Sequence, residues 1–183
     1  MTILVTGGAG YIGSHTAHLL AELGRDVVVL DTLERGYRDA VGDLDLVIGD
    51  IADDRVVAKT CRKYDVDSVI HFAAYKAVGE SVSQPLKYYK NNVSGTIALV
   101  ETLIANGVNR IVFSSSAAVY GTPDSSPVNE DAPLRHRAPT RNPKPMSSTS
   151  FAHATPPGCD QCVCVTSTRQ APTIRAIWEK TFR

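Results

Sequence analysis

Strand-like and helix-like patterns alternate along the first 121 residues of this 183-residue chain. Short runs of β-branched and aliphatic residues predict five strands, at residues 3–5, 27–30, 46–48, 68–72 and 110–113. The second run is apolar throughout, as expected for a strand that is covered on both faces. Strands that alternate with helices form parallel sheets through right-handed crossovers, so the sequence predicts an α/β fold with a doubly wound parallel sheet of about five strands.

The longest helical pattern runs from about Pro85 to Asn106. Proline suits a first helical turn, and Gly107 is typical of a helix C-terminus. The apolar residues of this helix recur every three or four positions and predict one buried face, formed by Leu86, Tyr89, Val93, Ile97, Val100 and Ile104. Upstream, Asp53 or Asp54 is expected to cap the preceding helix.

The composition changes near Arg135. Residues 1–135 carry 12 Lys and Arg and 17 Asp and Glu, a net charge of −5, whereas residues 136–183 carry seven and two, a net charge of +5. The second segment holds six of the ten prolines and three of the four cysteines, and it shows no sustained strand or helix period. We therefore predict a folded domain over residues 1–135 and a disordered or irregular tail over residues 136–183.

The sequence argues against several functional classes. It has no apolar run of 18 residues, which excludes a membrane-spanning helix. Its first residues lack the basic region and cleavage site of a signal peptide, so we expect a cytoplasmic protein whose four cysteines do not form a disulfide framework. The positive tail lacks interleaved aromatic residues, which argues against a nucleic-acid partner.

Three glycines at three-residue spacing follow the first strand pattern, namely Gly7, Gly10 and Gly13. They match a variant of the dinucleotide-binding pattern of Rossmann-like sheets, in which the glycines permit a tight turn, the approach of a pyrophosphate and close helix packing. The N-terminus of the following helix adds the positive end of its dipole.

Asp31 ends the second strand pattern, 18 residues after Gly13. A carboxylate at this position accepts hydrogen bonds from a ribose 2′-hydroxyl and repels a 2′-phosphate. The sequence therefore predicts an NAD site rather than an NADP site. The alternative is a structural turn followed by a surface aspartate.

Several longer strings resemble one enzyme family. They are TGGAGYIGSH at residues 6–15, GDI at 49–51, HFAA at 71–74, KAVGESV at 76–82, YYKNNV at 88–93 and FSSSAAVYG at 113–121. On these strings, residues 1–135 resemble the UDP-glucose 4-epimerases, which are extended short-chain dehydrogenases. The resemblance implies an incomplete Rossmann-like sheet, an NAD cofactor, a UDP-sugar substrate, a role in galactose metabolism and the homodimer of that family.

The resemblance also implies which residues contact the cofactor. They are Gly7, Gly10, Tyr11, Ile12, Gly13, Asp31, Thr32, Asp50, Ile51, Phe72, Ala73, Ala74, Lys76, Asn91 and Ser114. Ser116 matches the hydroxyl that hydrogen-bonds the C4 oxygen of the sugar. Taken singly, Phe72 also fits a core residue and Asn91 a helix cap or surface residue. Taken together, at the carboxyl ends of parallel strands, these residues favour a ligand cleft.

The chemistry that the resemblance implies is inversion at C4 of UDP-glucose or UDP-galactose. A tyrosinate removes the 4-hydroxyl proton while hydride moves to NAD and then returns to the other face of a 4-keto sugar. A lysine four residues further on lowers the tyrosine pKa from its usual value of about 10.

This Tyr-x-x-x-Lys pair is missing from its expected place. The chain reads APTRNPKP at residues 138–145 and has no tyrosine after Tyr120, and neither Tyr75 nor Tyr120 occupies the position of the family's acid–base residue. We therefore expect this chain to be inactive, without the catalytic pair and without a C-terminal substrate domain.

The missing pair can be found in another reading frame. When the third base of each codon is read with the first two bases of the next, residues 139–144 can encode Tyr-Ala-Lys-Ser-Lys. In the same frame, residues 163–172 can encode Leu-Arg-Tyr-Phe-Asn-Ala-Ala-Gly-Ala, which resembles the next signature of the family. Our hypothesis is a single frameshift between about Pro127 and His136, in the gene or in its sequencing.

The tail cysteines leave one alternative open. Cys159, Cys162 and Cys164, with His153 nearby, could form a zinc or redox site. A structural zinc site needs four ligands, and the spacing from His153 to Cys159 is not a standard one, so we expect no metal. The main hypothesis is an epimerase by descent, and the alternative is a non-enzymatic NAD-binding or metal-sensing protein whose tail has its own role.

Overall fold

The computed structural model describes residues 1–115 and 161–165. Its strands are β1 Thr2–Thr6, β2 Asp26–Asp31, β3 Asp45–Ile48, β4 Val66–His71, β5 Arg110–Ser114 and β6 Gln161–Val165. Its helices are α1 Tyr11–Glu22, α2 Asp54–Tyr64, α3 Val78–Ser83, α4 Pro85–Tyr89 and α5 Gly95–Ala105. A π-helical turn, Lys90–Ser94, joins α4 to α5, and Arg38–Ala40 forms a 3₁₀ turn.

The strands form one sheet in the order β3-β2-β1-β4-β5-β6, and every neighbouring pair is parallel. The chain moves outward in one direction from β1 to β3 and in the other direction from β4 onward. All carboxyl ends therefore meet at one edge, with the change of direction beside β1. Ligands bind at such a point in open α/β sheets. The predicted doubly wound fold class is confirmed.

Two apolar layers cover the sheet, one on each face. Ile3 and Val5 of β1 pack in a cluster with Ala17 and Leu20 of α1. Leu4, between them, belongs to the opposite cluster, which includes residues of α2 and α5. Because successive side chains of a strand point to opposite faces, both layers require apolar residues, which explains the unbroken apolar runs of β1 and β2.

The helix ends follow local sequence signals. Asp53 caps α2, since its Oδ1 accepts hydrogen bonds from the backbone N–H groups of Arg55 and Val56 at 3.0 and 3.2 Å. This agrees with the predicted aspartate cap. Gly24, after α1, and Gly107, after α5, have positive φ angles of 74° and 78°. Within the described ranges, none of the helices has the length and apolar character needed to span a bilayer.

The predicted long helix corresponds to α4, the π-helical turn and α5, and this helical segment buries a different face from the predicted one. Leu86 and Ile97 were expected inside but are 81% and 52% exposed. Among the six apolar residues of the predicted face, only Val100 is classed as buried. The buried face instead includes Tyr88, Asn92, Thr96, Leu99 and Leu103. Its polar members hydrogen-bond to the end of β4 and to the loop that follows, so apolar spacing alone chose the wrong face.

The sixth strand was not predicted from the sequence, which indicated an irregular tail. Gln161–Val165 pairs in parallel with β5, with Gln161 opposite Arg110 and Val165 opposite Ser114. Valine has high strand propensity, and an edge strand offers unpaired backbone groups to such a segment. Residues 122–134, the predicted boundary at Arg135 and the rest of the tail lie outside the described residues.

The buried face of α5 can be tested with one pair of alanine substitutions. Leu99→Ala should lower the free energy of unfolding by about 2–5 kcal/mol, because Leu99 is fully buried and its truncation leaves a cavity. Ile97→Ala, the matched control, should change it by less than about 1 kcal/mol. Urea unfolding followed by circular dichroism measures both values. Equal losses would contradict the observed face.

Candidate functional site

At Gly7 and Gly13, in the turn after β1, an added Cβ would collide with backbone atoms. Gly7 has a φ angle of +69°, and a Cβ there would lie 2.6 Å from the backbone nitrogen of Ala73. A Cβ on Gly13 would lie 2.3 Å from the carbonyl oxygen of Gly7. The protein's own packing therefore requires glycine at both positions. Gly10 differs, since its Cβ would meet only one atom, the Gly7 oxygen, at 3.3 Å.

The N-terminus of α1 lies open beside this turn. Gly10 precedes the helix, no side chain caps it, and its first turn holds no acidic residue. The side chains of Tyr11 and Ile12 are 77% and 51% exposed. The first N–H groups of a helix have no partner within it, and the helix dipole adds partial positive charge. This end of α1 can therefore accept an anion such as a pyrophosphate.

Asp31 lies at the end of β2 beside the glycine turn. Its Oδ2 accepts a hydrogen bond from the backbone N–H of Ala9 at 3.0 Å, and its Oδ1 accepts one from Leu33 at 2.8 Å. The backbone N–H of Tyr37 donates to the Ala9 oxygen at 3.0 Å, so the loop after β2 is attached to the turn. Each carboxylate oxygen can accept a further hydrogen bond, which leaves Asp31 able to bind a hydroxyl. Thr32 is exposed next to it.

Asp50 and Ile51 differ in their surroundings. Asp50 is exposed, and its Oδ1 accepts a hydrogen bond from Ala52 at 2.9 Å. Ile51 is only 6% exposed and packs in the core near Gly95. Among the side chains of this pair, Asp50 is therefore the one on the surface.

The loop after β4 lies against the glycine turn on its other side. The Phe72 backbone N–H donates to the Thr6 oxygen at 2.9 Å. Phe72 and Ala73 are half-buried against the two apolar clusters, which fits the core reading of Phe72. Ala74 and Lys76 are exposed. The structure thus brings the residues after β1, β2 and β4 together at one edge.

Asn92 is a residue of this site that sequence reasoning missed. Its Oδ1 accepts a hydrogen bond from the Tyr75 N–H at 2.8 Å, and its Nδ2 donates to the Tyr75 oxygen at 2.9 Å. The predicted contact residue, Asn91, donates from its Nδ2 to the Asn92 Oδ1 at 2.9 Å. Asn92 is 2% exposed. The only sequence signal for it was its place as the second asparagine of the YYKNNV string.

A buried chain of hydrogen bonds also escaped the sequence analysis. The Thr96 hydroxyl donates to the Asn92 backbone oxygen at 2.8 Å, so it accepts from the Nε2–H of His71, 3.1 Å away. The Nδ1 of His71 then accepts from the Thr6 hydroxyl at 2.7 Å. This chain fixes the end of β4 against β1 and α5, directly beneath the loop that carries Phe72 and Ala73.

The serines after β5 are only partly described. Ser114 is half-buried at the end of the strand. Ser115 is 8% exposed, and its buried Oγ has no hydrogen-bond partner in the part of the chain that the structure describes. Ser116, the predicted sugar contact, lies outside the described residues.

Charged and aromatic side chains join the loops after β2 and β4 to the helices. Glu80 accepts hydrogen bonds from Arg35, from Lys87 at 2.9 Å and from Tyr88 at 2.9 Å. Donation by Lys87, and then by Tyr88 and Arg35, lowers the pKa of Glu80 to about 2.

Tyr75 belongs to the same group of residues but has the opposite shift. Its hydroxyl donates to Glu34, and this hydrogen bond, followed by partial burial, raises the pKa of Tyr75 to about 12. Tyr75 is therefore a neutral phenol at neutral pH.

Comparison with protein families gives the affiliation of this fold and site. Residues 3–147 match the model of the NAD dependent epimerase/dehydratase family. The chain belongs to this family. The match confirms the predicted resemblance and NAD as the cofactor of the family, and it runs beyond Arg135 to residue 147.

Individual relatives of the chain are UDP-glucose 4-epimerases. The chain is 50% identical over 133 residues to a UDP-glucose 4-epimerase of Halalkalibacterium halodurans and 49% identical over 142 residues to that of Bacillus subtilis. Each alignment covers 73% of this chain but only 40% and 42% of the relatives. The chain thus spans well under half the length of these curated relatives.

Solved structures are similar too. The UDP-glucose 4-epimerase of Brucella ovis in complex with NAD is 41% identical, with a TM-score of 0.81, over 89% of this chain and 50% of that one. The enzyme of Stenotrophomonas maltophila, with bound NAD and formylated UDP-arabinopyranose, is 38% identical, with a TM-score of 0.83, over 91% of this chain and 52% of that one.

The alternative metal site cannot be placed on the described residues. Within residues 1–115 and 161–165, no group of three or more His, Cys, Asp or Glu side chains could hold a metal ion. His153 and Cys159 lie outside those ranges, and for Cys162 and Cys164 the structure describes the backbone of β6 alone.

The close approach at Gly13 can be tested by adding a methyl group. Gly13→Ala should lower the free energy of unfolding by about 1–3 kcal/mol or more, because its Cβ would overlap backbone that cannot rotate away. Gly79→Ala is the matched control, since α3 leaves open space there and alanine favours a helix by about 1 kcal/mol. Thermal unfolding compares the two, and a stable Gly13→Ala protein would contradict the described turn.

Proposed function

We propose that residues 1–135 form the NAD-binding part of a UDP-glucose 4-epimerase. The observation that carries this proposal is the glycine turn between β1 and α1, where packing excludes side chains at Gly7 and Gly13 and leaves the helix end uncapped. The family match and the epimerase relatives support the same assignment. These relatives extend well beyond this chain, which covers 40% and 42% of their length.

The residues of the cleft suit a dinucleotide. The open N-terminus of α1 would hold the pyrophosphate, and the Asp31 carboxylate would accept hydrogen bonds from the adenosine ribose. Asp50, on the surface after β3, would lie beside the adenine. Lys76 and Asn91, after β4 and on the helix, would contact the other half of the cofactor. Gly10 is not strictly required by the protein's own packing, so a ligand can explain glycine there.

The described part of the chain supplies binding and orientation. NAD, when bound, accepts a hydride from a sugar carbon and returns it. Asp31 and the α1 N-terminus would fix one end of the dinucleotide, while Asn92 holds the loop at Tyr75 that borders the other end. Ser116 remains the proposed hydrogen-bond partner of the sugar oxygen. Tyr75 supplies no base, because its pKa is raised to about 12.

We further propose that this chain does not complete the reaction. Proton removal from the sugar hydroxyl needs an ionised group near neutral pH, which the family obtains from its Tyr-x-x-x-Lys pair. The chain has no tyrosine after Tyr120, and prolines at positions 139, 143 and 145 oppose a helix that could carry the pair. The proposed cause is the reading-frame change between about Pro127 and His136.

A second candidate function is a non-enzymatic NAD-binding or metal-sensing protein. It is favoured only by the cysteines at positions 159, 162 and 164 in the tail. Metal analysis of the purified protein separates the two candidates. One zinc per chain would favour the second, whereas the first expects none.

We propose that an intact version of this protein forms a homodimer, as the family resemblance implies. Val82, Leu86 and Ile97 are 58%, 81% and 52% exposed, although all three are apolar. Leu86 and Ile97 lie on the outward face of the long helix, which its sequence pattern predicted to be buried. Association through this face would remove apolar surface from water.

NAD binding tests the main proposal. The chain should bind NAD at least about tenfold more tightly than NADP, because Asp31 repels a 2′-phosphate. Asp31→Asn should reduce this preference, while Asp67→Asn, a control at the opposite edge of the sheet, should keep it. Calorimetric titration measures the constants. Absence of NAD binding would refute the proposal, and conversion of UDP-galactose to UDP-glucose by this chain would refute its inactivity.

The coding DNA tests the proposed origin of the tail. A single-base change between the codons of about Pro127 and His136 should restore Tyr-Ala-Lys-Ser-Lys at residues 139–144. Expression of the corrected gene should yield epimerase activity. If neither alternative frame encodes these strings, the frameshift hypothesis is wrong.

A further inference from the structure

A group of polar side chains joins the two loops that flank the glycine turn. We call Glu34, Arg35, Tyr75, Glu80 and Lys87 the polar bridge. Glu34 and Arg35 lie in the loop after β2, Tyr75 lies in the loop after β4, and Glu80 and Lys87 lie on α3 and α4.

The contacts of the polar bridge run continuously from one loop to the other. Tyr75 donates a hydrogen bond to Glu34, and Arg35 forms an ion pair with Glu80. The Arg35 guanidinium carbon lies 5.0 Å from the centroid of the Tyr75 ring, and the Lys87 Nζ lies 4.8 Å from it. Lys87 also lies 2.9 Å from Glu80 and 3.9 Å from Glu34.

The sheet order determines where the polar bridge passes. β1 lies between β2 and β4, and all three strands are parallel. A contact between the loops after β2 and β4 must therefore cross the carboxyl end of β1, where the glycine turn begins. Both loops also touch that turn directly, one through the Tyr37–Ala9 hydrogen bond and the other through the close approach of Ala73 to Gly7.

We propose that the polar bridge closes the cleft over the middle of the bound dinucleotide, with Glu80 as its main positioning residue. This inference rests on the proposed function, since the pyrophosphate is assigned to the glycine turn. A ligand that extends to both sides of β1 can then leave only when the bridge opens. A ligand confined to the β2 side, such as adenosine monophosphate, can leave without opening it.

The chemistry of the polar bridge suits repeated opening. Its charged side chains are partly exposed, between 23% for Glu80 and 49% for Glu34, so they can exchange their partners for water. Salt weakens the attraction between such exposed charges, with a screening length of about 8–10 Å at ordinary ionic strength. Hydrogen bonds between charged groups are nevertheless stronger than those between neutral ones, which favours the closed arrangement at low salt.

The test compares the release of two ligands by stopped flow. Glu80→Gln keeps the shape of the side chain but removes its charge, so NAD should dissociate about tenfold faster than from the unmodified chain. Raising the salt concentration should speed NAD release from the unmodified chain and have less effect on the variant. Release of adenosine monophosphate should be the same in both proteins. A purely structural role would lower stability without separating the two ligands.

Two further variants complete the experiment. Glu34→Gln breaks the other end of the polar bridge and should also speed NAD release, which keeps the test valid if Glu80→Gln folds poorly. Asp67→Asn removes the ion pair with Arg110 at the amino-terminal edge of the sheet and should leave release unchanged. If NAD binds and both bridge variants release it at the normal rate, the bridge inference is overturned. If NAD does not bind, the proposed function fails and the inference fails with it.

Discussion

The approach of backbone to backbone at the glycine turn is the constraint on which the rest of the site depends. The loop after β4 lies so close to Gly7 that a Cβ would be 2.6 Å from Ala73, and α1 begins so close that a Cβ on Gly13 would be 2.3 Å from Gly7. These contacts set the open end of α1 beside β2 and β4. Asp31, at the end of β2, and Phe72, directly after β4, then border the same turn because β2 and β4 are the neighbours of β1.

Much of this arrangement follows from the sequence because its signals are local. The apolar runs fixed five strands, the glycine spacing predicted the turn, and Asp53 was one of two expected helix caps. Each of these depends on a few adjacent residues and on general rules of backbone geometry. The family resemblance came from short strings of the same kind and is confirmed.

The long helix shows where local signals fail. Its apolar residues favoured a face that includes Leu86 and Ile97, whereas the structure buries Asn92 and Thr96. Burial of these polar groups depends on partners far away in the sequence, His71 and Tyr75. The polar bridge has the same origin, since Arg35 and Glu80 are 45 residues apart. Hydrophobic periodicity contains no information about such pairs.

The two segments of the chain therefore support different conclusions, one about cofactor binding and one about catalysis. Residues 1–115 supply five parallel strands with an apolar layer on each face and their carboxyl ends at one edge, whereas the proposed loss of activity follows from the residues beyond Tyr120. The proposed NAD site and the proposed loss of the acid–base pair are compatible, because the first would depend on β1 to β4 and the second on a later segment.

Hydrogen–deuterium exchange with and without NAD tests the central claim, that the glycine turn holds the dinucleotide. The account predicts slower exchange on NAD addition in peptides that contain residues 7–13, 31–37 and 72–76, because these segments surround the cleft. Unchanged exchange at residues 7–13 under saturating NAD would contradict it, as would protection confined to other parts of the chain.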